Sequence, residues 1–249
     1  MVFYLGLSYM SNYTGIRGDL HRLQTNEGRR ILALLDRKAG ASGENRAGEH
    51  DGAGFQGPAG IGDIAREDGG RPFFTDGRAD FNISHSGRVA AVAYVRKEEG
   101  ASRFFRTGCD VQQAGVRGNR DAIIRRFYHD EERRYVEAAP DPLERNLRFF
   151  RLWVLKEAYL KMKGFSVGDI AKTPAFFPDG ETPCFRAGED AKTCALNFYL
   201  SEWGAPSDAY MLAVCLEGNN ACPGPPEVIW LSRERLSGGP WLPVLRAAD

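Results

Sequence analysis

Residues 2–9 form an almost unbroken apolar run, and a run of that length with polar flanks predicts a buried strand. Apolar positions at Ile31, Leu32, Leu34 and Leu35 then set a helical rhythm over residues 29–37. From Gly40 to Gly62 the pattern breaks down, with glycine at 40, 43, 48, 52, 54, 57, 60 and 62 and few apolar residues between. Such a stretch buries too little surface to offset its ordering entropy, which predicts a mobile surface insertion. Strands are expected at residues 81–84 and 89–95, separated by Gly87, and again at 105–111. Asn119 or Asp121 can cap a helix running toward Tyr128, and residues 130–138 suit a further short helix. Asp141-Pro142 is a strong start signal, an N-cap followed by proline at the first helical position. The helix from Leu143 should run to Lys163 and stop at Gly164. Apolar runs at 195–200, 209–216 and 228–231 read as later strands, so the gross order is mixed α/β without a sequence repeat.

Composition changes this picture little. The 249 residues include 33 basic and 33 acidic side chains, so the balance points neither to nucleic acid nor to an anionic membrane. Cys109, Cys184, Cys194, Cys215 and Cys222 show neither a disulfide framework nor a metal-ligand rhythm. They fit free thiols in a reducing compartment. The apolar start is too short to span a membrane and lacks the basic leader of a signal peptide, so a soluble cytoplasmic protein is expected.

Three segments carry candidate chemistry. Gly70-Arg71-Pro72 precedes Phe81-Asn82-Ile83-Ser84-His85-Ser86-Gly87. Neighbouring side chains on a strand point to opposite faces, so Ser84 and His85 do not form a nucleophile–base dyad. A strand ending in hydroxyls and glycine can instead approach phosphate oxygens, or simply satisfy its own turn. In Thr107-Gly108-Cys109-Asp110-Val111-Gln112, alternation puts Asp110 and Gln112 on one face, two oxygen-bearing groups suited to a hard cation or to solvent. The stretch from Leu152 to Leu160 is apolar except for Lys156 and Glu157. Trp153, Glu157 and Lys161 recur at helical spacing with Lys156 beside them, either as a functional face or as an ordinary Glu157–Lys161 ion pair.

Taken together, these segments resemble the Sfp-type 4'-phosphopantetheinyl transferases, whose motifs run G-K-P, F-N-I-S-H-S, G-[IV]-D-[IV]-E and W-x-x-K-E-A-x-x-K-x-x-G. Here they stand as Gly70-Arg71-Pro72, residues 81–86, residues 108–112, and Trp153, Lys156-Glu157-Ala158, Lys161 and Gly164. Arg126-Phe127-Tyr128 through Glu132 is similar to the family's R-F-F-x-x-x-E. The resemblance, covering about residues 28–215, implies an α/β (α+β) fold of two similar lobes with pseudo-twofold symmetry and coenzyme A between them. The expected division is an N-terminal lobe over 1–105 with the glycine-rich insertion, a C-terminal lobe over 106–226, and a strand and tail over 227–249.

It further implies that Asp110 and Glu157, with Gln112 at the family's third acidic position, hold magnesium. Glu157 would act as base, with Lys161 as its catalytic neighbour. Arg71, Ser84, His85, Lys156, Lys161 and Arg29 would contact the coenzyme A phosphates and nucleotide. Two departures stand out. Gln112 removes one negative charge from the metal set, and the N-terminus is shorter than usual before the first helix, with the glycine-rich insertion after it. Arg71 also replaces a point charge by a fork. The implied reaction moves phosphopantetheine from coenzyme A to a serine of an apo acyl or peptidyl carrier protein, catalysed by a monomer. The rivals are a degenerate binding module without turnover and a metal-dependent phosphohydrolase. Residues 117–134 carry six arginines against four carboxylates, a candidate docking surface for an acidic carrier or a solvated face.

Overall fold

The computed structural model describes residues 2–10, 17–41, 63–96, 105–115, 120–179, 183–186, 195–205, 209–218, 226–230 and 246–247. Most of the glycine-rich stretch, together with Arg117, Asn119, Cys194 and Cys222, lies outside them. In chain order the elements are β1 (Val2–Tyr9), α1 (Arg17–Ala41), β2 (Ile64–Arg66), β3 (Pro72–Phe74), β4 (Ala79–Ser86), β5 (Val89–Arg96) and β6 (Phe105–Gln113). Then come α2 (Asp121–Phe127), α3 (Asp130–Glu137), α4 (Pro142–Lys163), a short 3-10 helix (Val167–Lys172), β7 (Ala175–Phe177) and β8 (Cys184–Arg186). The chain continues through β9 (Ala195–Trp203), β10 (Tyr210–Gly218), β11 (Glu227–Trp230) and β12 (Arg246–Ala247). The mixed α/β order expected from the sequence is observed.

Two sheets stack. One has the order β11-β1-β5-β4, and the other β6-β10-β9. Alternation along their strands sorts the side chains into layers. Tyr4, Phe81, Val92 and Tyr94 meet Ile31, Leu32 and Leu35 of α1. The opposite face of the same sheet, with Leu5, Leu7, Ala91 and Val95, packs on Val111, Leu212, Val214 and Tyr199 of the second sheet. The far side of the second sheet, including Met211, Ala213 and Cys215, receives Leu155, Ala158 and Met162 of α4. The order is therefore α1, sheet, sheet, α4, and the period-2 patterns of the strands decide it. Residues 227–230 return to pair in parallel with residues 4–7 of β1.

Helix α4 begins and ends as expected: the Asp141 carboxylate accepts from the Leu143 and Glu144 amides, and Gly164 closes the helix at φ 73°. Helix α1 is longer than its apolar rhythm predicted. Tertiary contacts anchor its polar first half, where Gln24 Nε2 donates to the Gly87 carbonyl and Gly28 packs directly on Ile83. β2, β3, β7 and β8 are three-residue strands, too short to show a period. Cys109, Cys184 and Cys215 are free thiols, and no described helix is long and apolar enough to cross a membrane.

Candidate active site

The site grows from the seam between β4 and β6. Each strand is an edge of its own sheet, yet alternate β4 side chains satisfy successive outward amides of β6. Asp80 Oδ2 accepts from the Thr107 amide (2.7 Å), Asn82 Oδ1 from Cys109 (3.0 Å), Ser84 Oγ from Val111 (3.2 Å) and Ser86 Oγ from Gln113 (3.0 Å). Polar side chains thus stand in for a backbone ladder and fix the register of the two strands.

Gly108 lets α4 descend on β6 beside this seam. A Cβ at that position would overlap the Ala158 carbonyl oxygen and the Met162 amide. The close approach delivers Glu157 and Lys161, one helical turn apart, onto Asp110. Asp110 is 1% exposed. Its Oδ1 accepts from Lys161 Nζ at 2.6 Å and from Ser84 Oγ at 2.9 Å, and its Oδ2 accepts from Gln112 Nε2 at 3.2 Å. Gln112 Oε1 in turn accepts from Ser86 Oγ at 3.4 Å. The shared face expected for Asp110 and Gln112 is present.

Electrostatics in this corner are strained. Burial first, and then the neighbouring Asp110 carboxylate, push Glu157 up to about 7, with Lys161 only partly offsetting them. Burial works against the Lys161 ammonium, but Asp110 and the other nearby groups hold it above the ordinary lysine value. Burial lowers His85, and the nearby His21 and Lys161 lower it further. The His85 ring meets the His21 ring of α1 edge-on, with centroids 5.2 Å apart. Arg29 lies in α1 one residue after Gly28, whose backbone lies against Ile83. Burial drives the Cys109 thiol up to about 11, which leaves it inert at neutral pH.

Two residues expected at phosphates are committed elsewhere. Arg71, with its side chain 3% exposed, is a brace. It donates to Asp80 Oδ2 (2.6 Å), to the Phe81 and Thr107 carbonyls (3.4 and 3.0 Å) and to the Lys161 carbonyl (3.2 Å). It therefore ties β4, β6 and the end of α4 together, a task for a fork rather than a point charge. Lys156 is fully buried on another side of α4. It pairs with Glu132 at 2.8 Å, donates to Thr173 Oγ1 at 2.9 Å, and lies over the Tyr128 and Phe176 rings. Burial pulls its ammonium below the ordinary value, against the opposing pull of Glu132. Lys156 and Glu157 are adjacent in sequence, so about 100° of helical rotation separates them, and only Glu157 shares the face of Lys161.

Sequence reasoning overlooked His21, quoted Ser86 only within its motif, and named Glu132 without its partner. The alternation Asp80, Asn82, Ser84, Ser86, polar at every second position with Ala79, Phe81 and Ile83 between, was the signal for the seam.

Among the described residues no three His, Cys, Asp or Glu side chains gather as a ready metal cage. Asp110, Glu157 and the Gln112 amide nevertheless offer a hard oxygen set, and a hard cation bound with substrate oxygens requires little more. The fit is supported by the like-charge stress on Glu157 and by the Lys161 ammonium already drawn onto Asp110.

Carboxylates and a lysine gathered beneath a hydroxyl-rich strand are groups of the kind that suit phosphate oxygens and a divalent cation. Residues 106–215 match the family model described as the 4'-phosphopantetheinyl transferase superfamily. It is 36% identical over 114 residues to a putative 4'-phosphopantetheinyl transferase of Haemophilus influenzae, covering 45% of each chain. It is 31% identical over 119 residues to the 4'-phosphopantetheinyl transferase HetI of a Nostoc species, covering 43% of this chain and 46% of that one. A 4'-phosphopantetheinyl transferase of Bacillus subtilis is 28% identical over 155 residues, 58% of each chain. The chain thus spans about half the length of the curated relatives it matches.

Proposed function

We propose that this protein transfers the 4'-phosphopantetheine group from coenzyme A to a serine of an apo acyl or peptidyl carrier protein and releases 3',5'-ADP. The observation that carries this reading is the convergence of Asp110, Glu157 and Lys161 at the β4–β6 seam, within the segment matched by the superfamily. The carrier serine oxygen attacks the phosphorus that bears the pantetheine arm, and the bond from that phosphorus to the oxygen of 3',5'-ADP breaks. Glu157 accepts the serine proton. Lys161 turns from Asp110 toward the pyrophosphate and offsets charge on its oxygens. His85 binds a phosphate, with Arg29 on the nucleotide side. Arg71 and Lys156 support these groups from within and do not touch the substrate. Asp110, Glu157 and Gln112 would hold magnesium, which when bound neutralises pyrophosphate charge. We place the protein in the cytoplasm as a monomer. Exposed Arg125, Arg126 and Arg134 on α2 and α3 face the acidic carrier.

The amide at Gln112, where relatives of the Sfp type place an acid, favours one second reading: a module that binds coenzyme A or the carrier without turnover. Intact mass of an apo carrier protein, incubated with this protein, coenzyme A and magnesium, separates the two. A gain of one phosphopantetheine, abolished by chelator and by Glu157→Gln, supports the transferase. An unchanged carrier across acyl and peptidyl types, with coenzyme A bound, supports the module.

A further inference from the structure

We infer that Ser84 is a positioning residue whose hydroxyl holds Asp110 for its cation and makes no contact with the nucleotide. A serine hydroxyl has one proton to donate and two lone pairs to offer. At Ser84 all three are in use: the proton goes to Asp110 Oδ1 (2.9 Å), and the lone pairs receive the Val111 amide (3.2 Å) and Lys161 Nζ (3.0 Å). The residue is 3% exposed, so no bonding capacity remains for a phosphate.

The pattern of bonds on Asp110 says what the hydroxyl accomplishes. Among the described residues two donors, Ser84 and Lys161, restrain Oδ1, whereas Oδ2 has only the longer 3.2 Å bond from Gln112. Oδ2 is therefore the oxygen presented to a cation. Lys161 must leave Oδ1 when it turns to an incoming phosphate, and Ser84 is then the one described donor left on Oδ1, where it resists rotation of the carboxylate. The Val111 amide pins the Ser84 oxygen to the strand that carries Asp110, so the restraint is rigid. Asn82 supplies an internal control. It makes an equivalent seam bond to the Cys109 amide and does not touch Asp110.

This inference rests on the proposed function for its effect on turnover, but its effect on metal binding can be tested separately. Mn2+ is titrated into wild type, Ser84→Ala, Ser84→Cys, Ser84→Thr and Asn82→Ala, with free ion followed by electron paramagnetic resonance. The kcat, the KM for coenzyme A and the melting temperature are measured on the same proteins. Ser84→Ala and Ser84→Cys should each weaken Mn2+ binding and lower kcat by about ten- to a hundredfold. The KM for coenzyme A should stay within about twofold, because no nucleotide contact is lost. Ser84→Thr, which restores the hydroxyl, should recover both, and Asn82→Ala should lower the melting temperature while leaving Mn2+ affinity intact. A raised KM for coenzyme A with unchanged kcat and Mn2+ affinity would overturn the inference. So would an Asn82→Ala loss equal to that of Ser84→Ala, or wild type without measurable Mn2+ binding. If wild type transfers nothing but the Mn2+ pattern holds, the transferase reading falls and the positioning role stands.

Discussion

Without a metal, Glu157 should cost this protein stability at neutral pH, and glutamine in its place should return it. The carboxyl is raised from an ordinary 4.5 to about 7 by burial and by Asp110. The folded state therefore keeps a proton that the unfolded chain releases between those values. Where the native state binds more protons, stability falls as pH rises, so the contribution is fully present below about pH 4.5 and lost through pH 7. A displacement of about 2.5 units at 1.36 kcal/mol per unit sets the loss at about 3 kcal/mol. Glutamine resembles the protonated acid in shape and does not titrate. Urea unfolding in chelator should therefore give similar free energies for wild type and Glu157→Gln near pH 4.5. The variant should become about 2–3 kcal/mol more stable by pH 8. His85, whose shift is not caused by Glu157, is common to both proteins and cancels in the difference. Magnesium at pH 8 should stabilise wild type and have little effect on the variant. Parallel pH curves for the two proteins would refute the electrostatic picture of the site.

Other outcomes follow from the packing. Lys156→Met leaves Glu132 charged and unpaired in the core, and urea unfolding should show a loss of about 3–5 kcal/mol. Gly108→Ala forces α4 away from β6. We expect a loss of about 1–3 kcal/mol by the same measurement and a fall in transfer rate that exceeds it, since Glu157 and Lys161 leave Asp110. Reversing Arg125 and Arg126 to glutamate should raise the KM for the carrier and leave that for coenzyme A unchanged; steady-state kinetics with an acidic carrier would show an equal KM for the carrier if these arginines are only a solvated face.

Long elements and strong signals were legible in the sequence. Helix α4 announced itself through Asp141-Pro142 and Gly164, and β1 and β5 through apolar runs, because burial on both faces leaves a continuous pattern. The pairing of Asp110 with Gln112 followed from period-2 alternation alone. Lys156 was misplaced because adjacency in sequence was taken for adjacency on the helix surface, where one residue is a rotation of about 100°. Its partner Glu132 lies on another helix, and no local pattern encodes that meeting. Arg71 shows the same limit: its motif suggested a ligand contact, while its carbonyl and carboxylate partners come from strands brought together only by folding. The first half of α1 carried no rhythm because Gln24 and Gly28 are held by single tertiary contacts rather than by an apolar stripe.

The row of Asp80, Asn82, Ser84 and Ser86 also bears on what happens when the protein is damaged. An edge strand with unsatisfied amides is a template onto which another chain can add. Here the outward amides of β6 are occupied by side chains from β4, so that edge is closed to a stranger's backbone. A backbone ladder would tolerate almost any residue at these positions, whereas this closure depends on the identity of four side chains. Substitutions along β4 should therefore reveal themselves first as self-association at high concentration, before any loss of helix or sheet is seen.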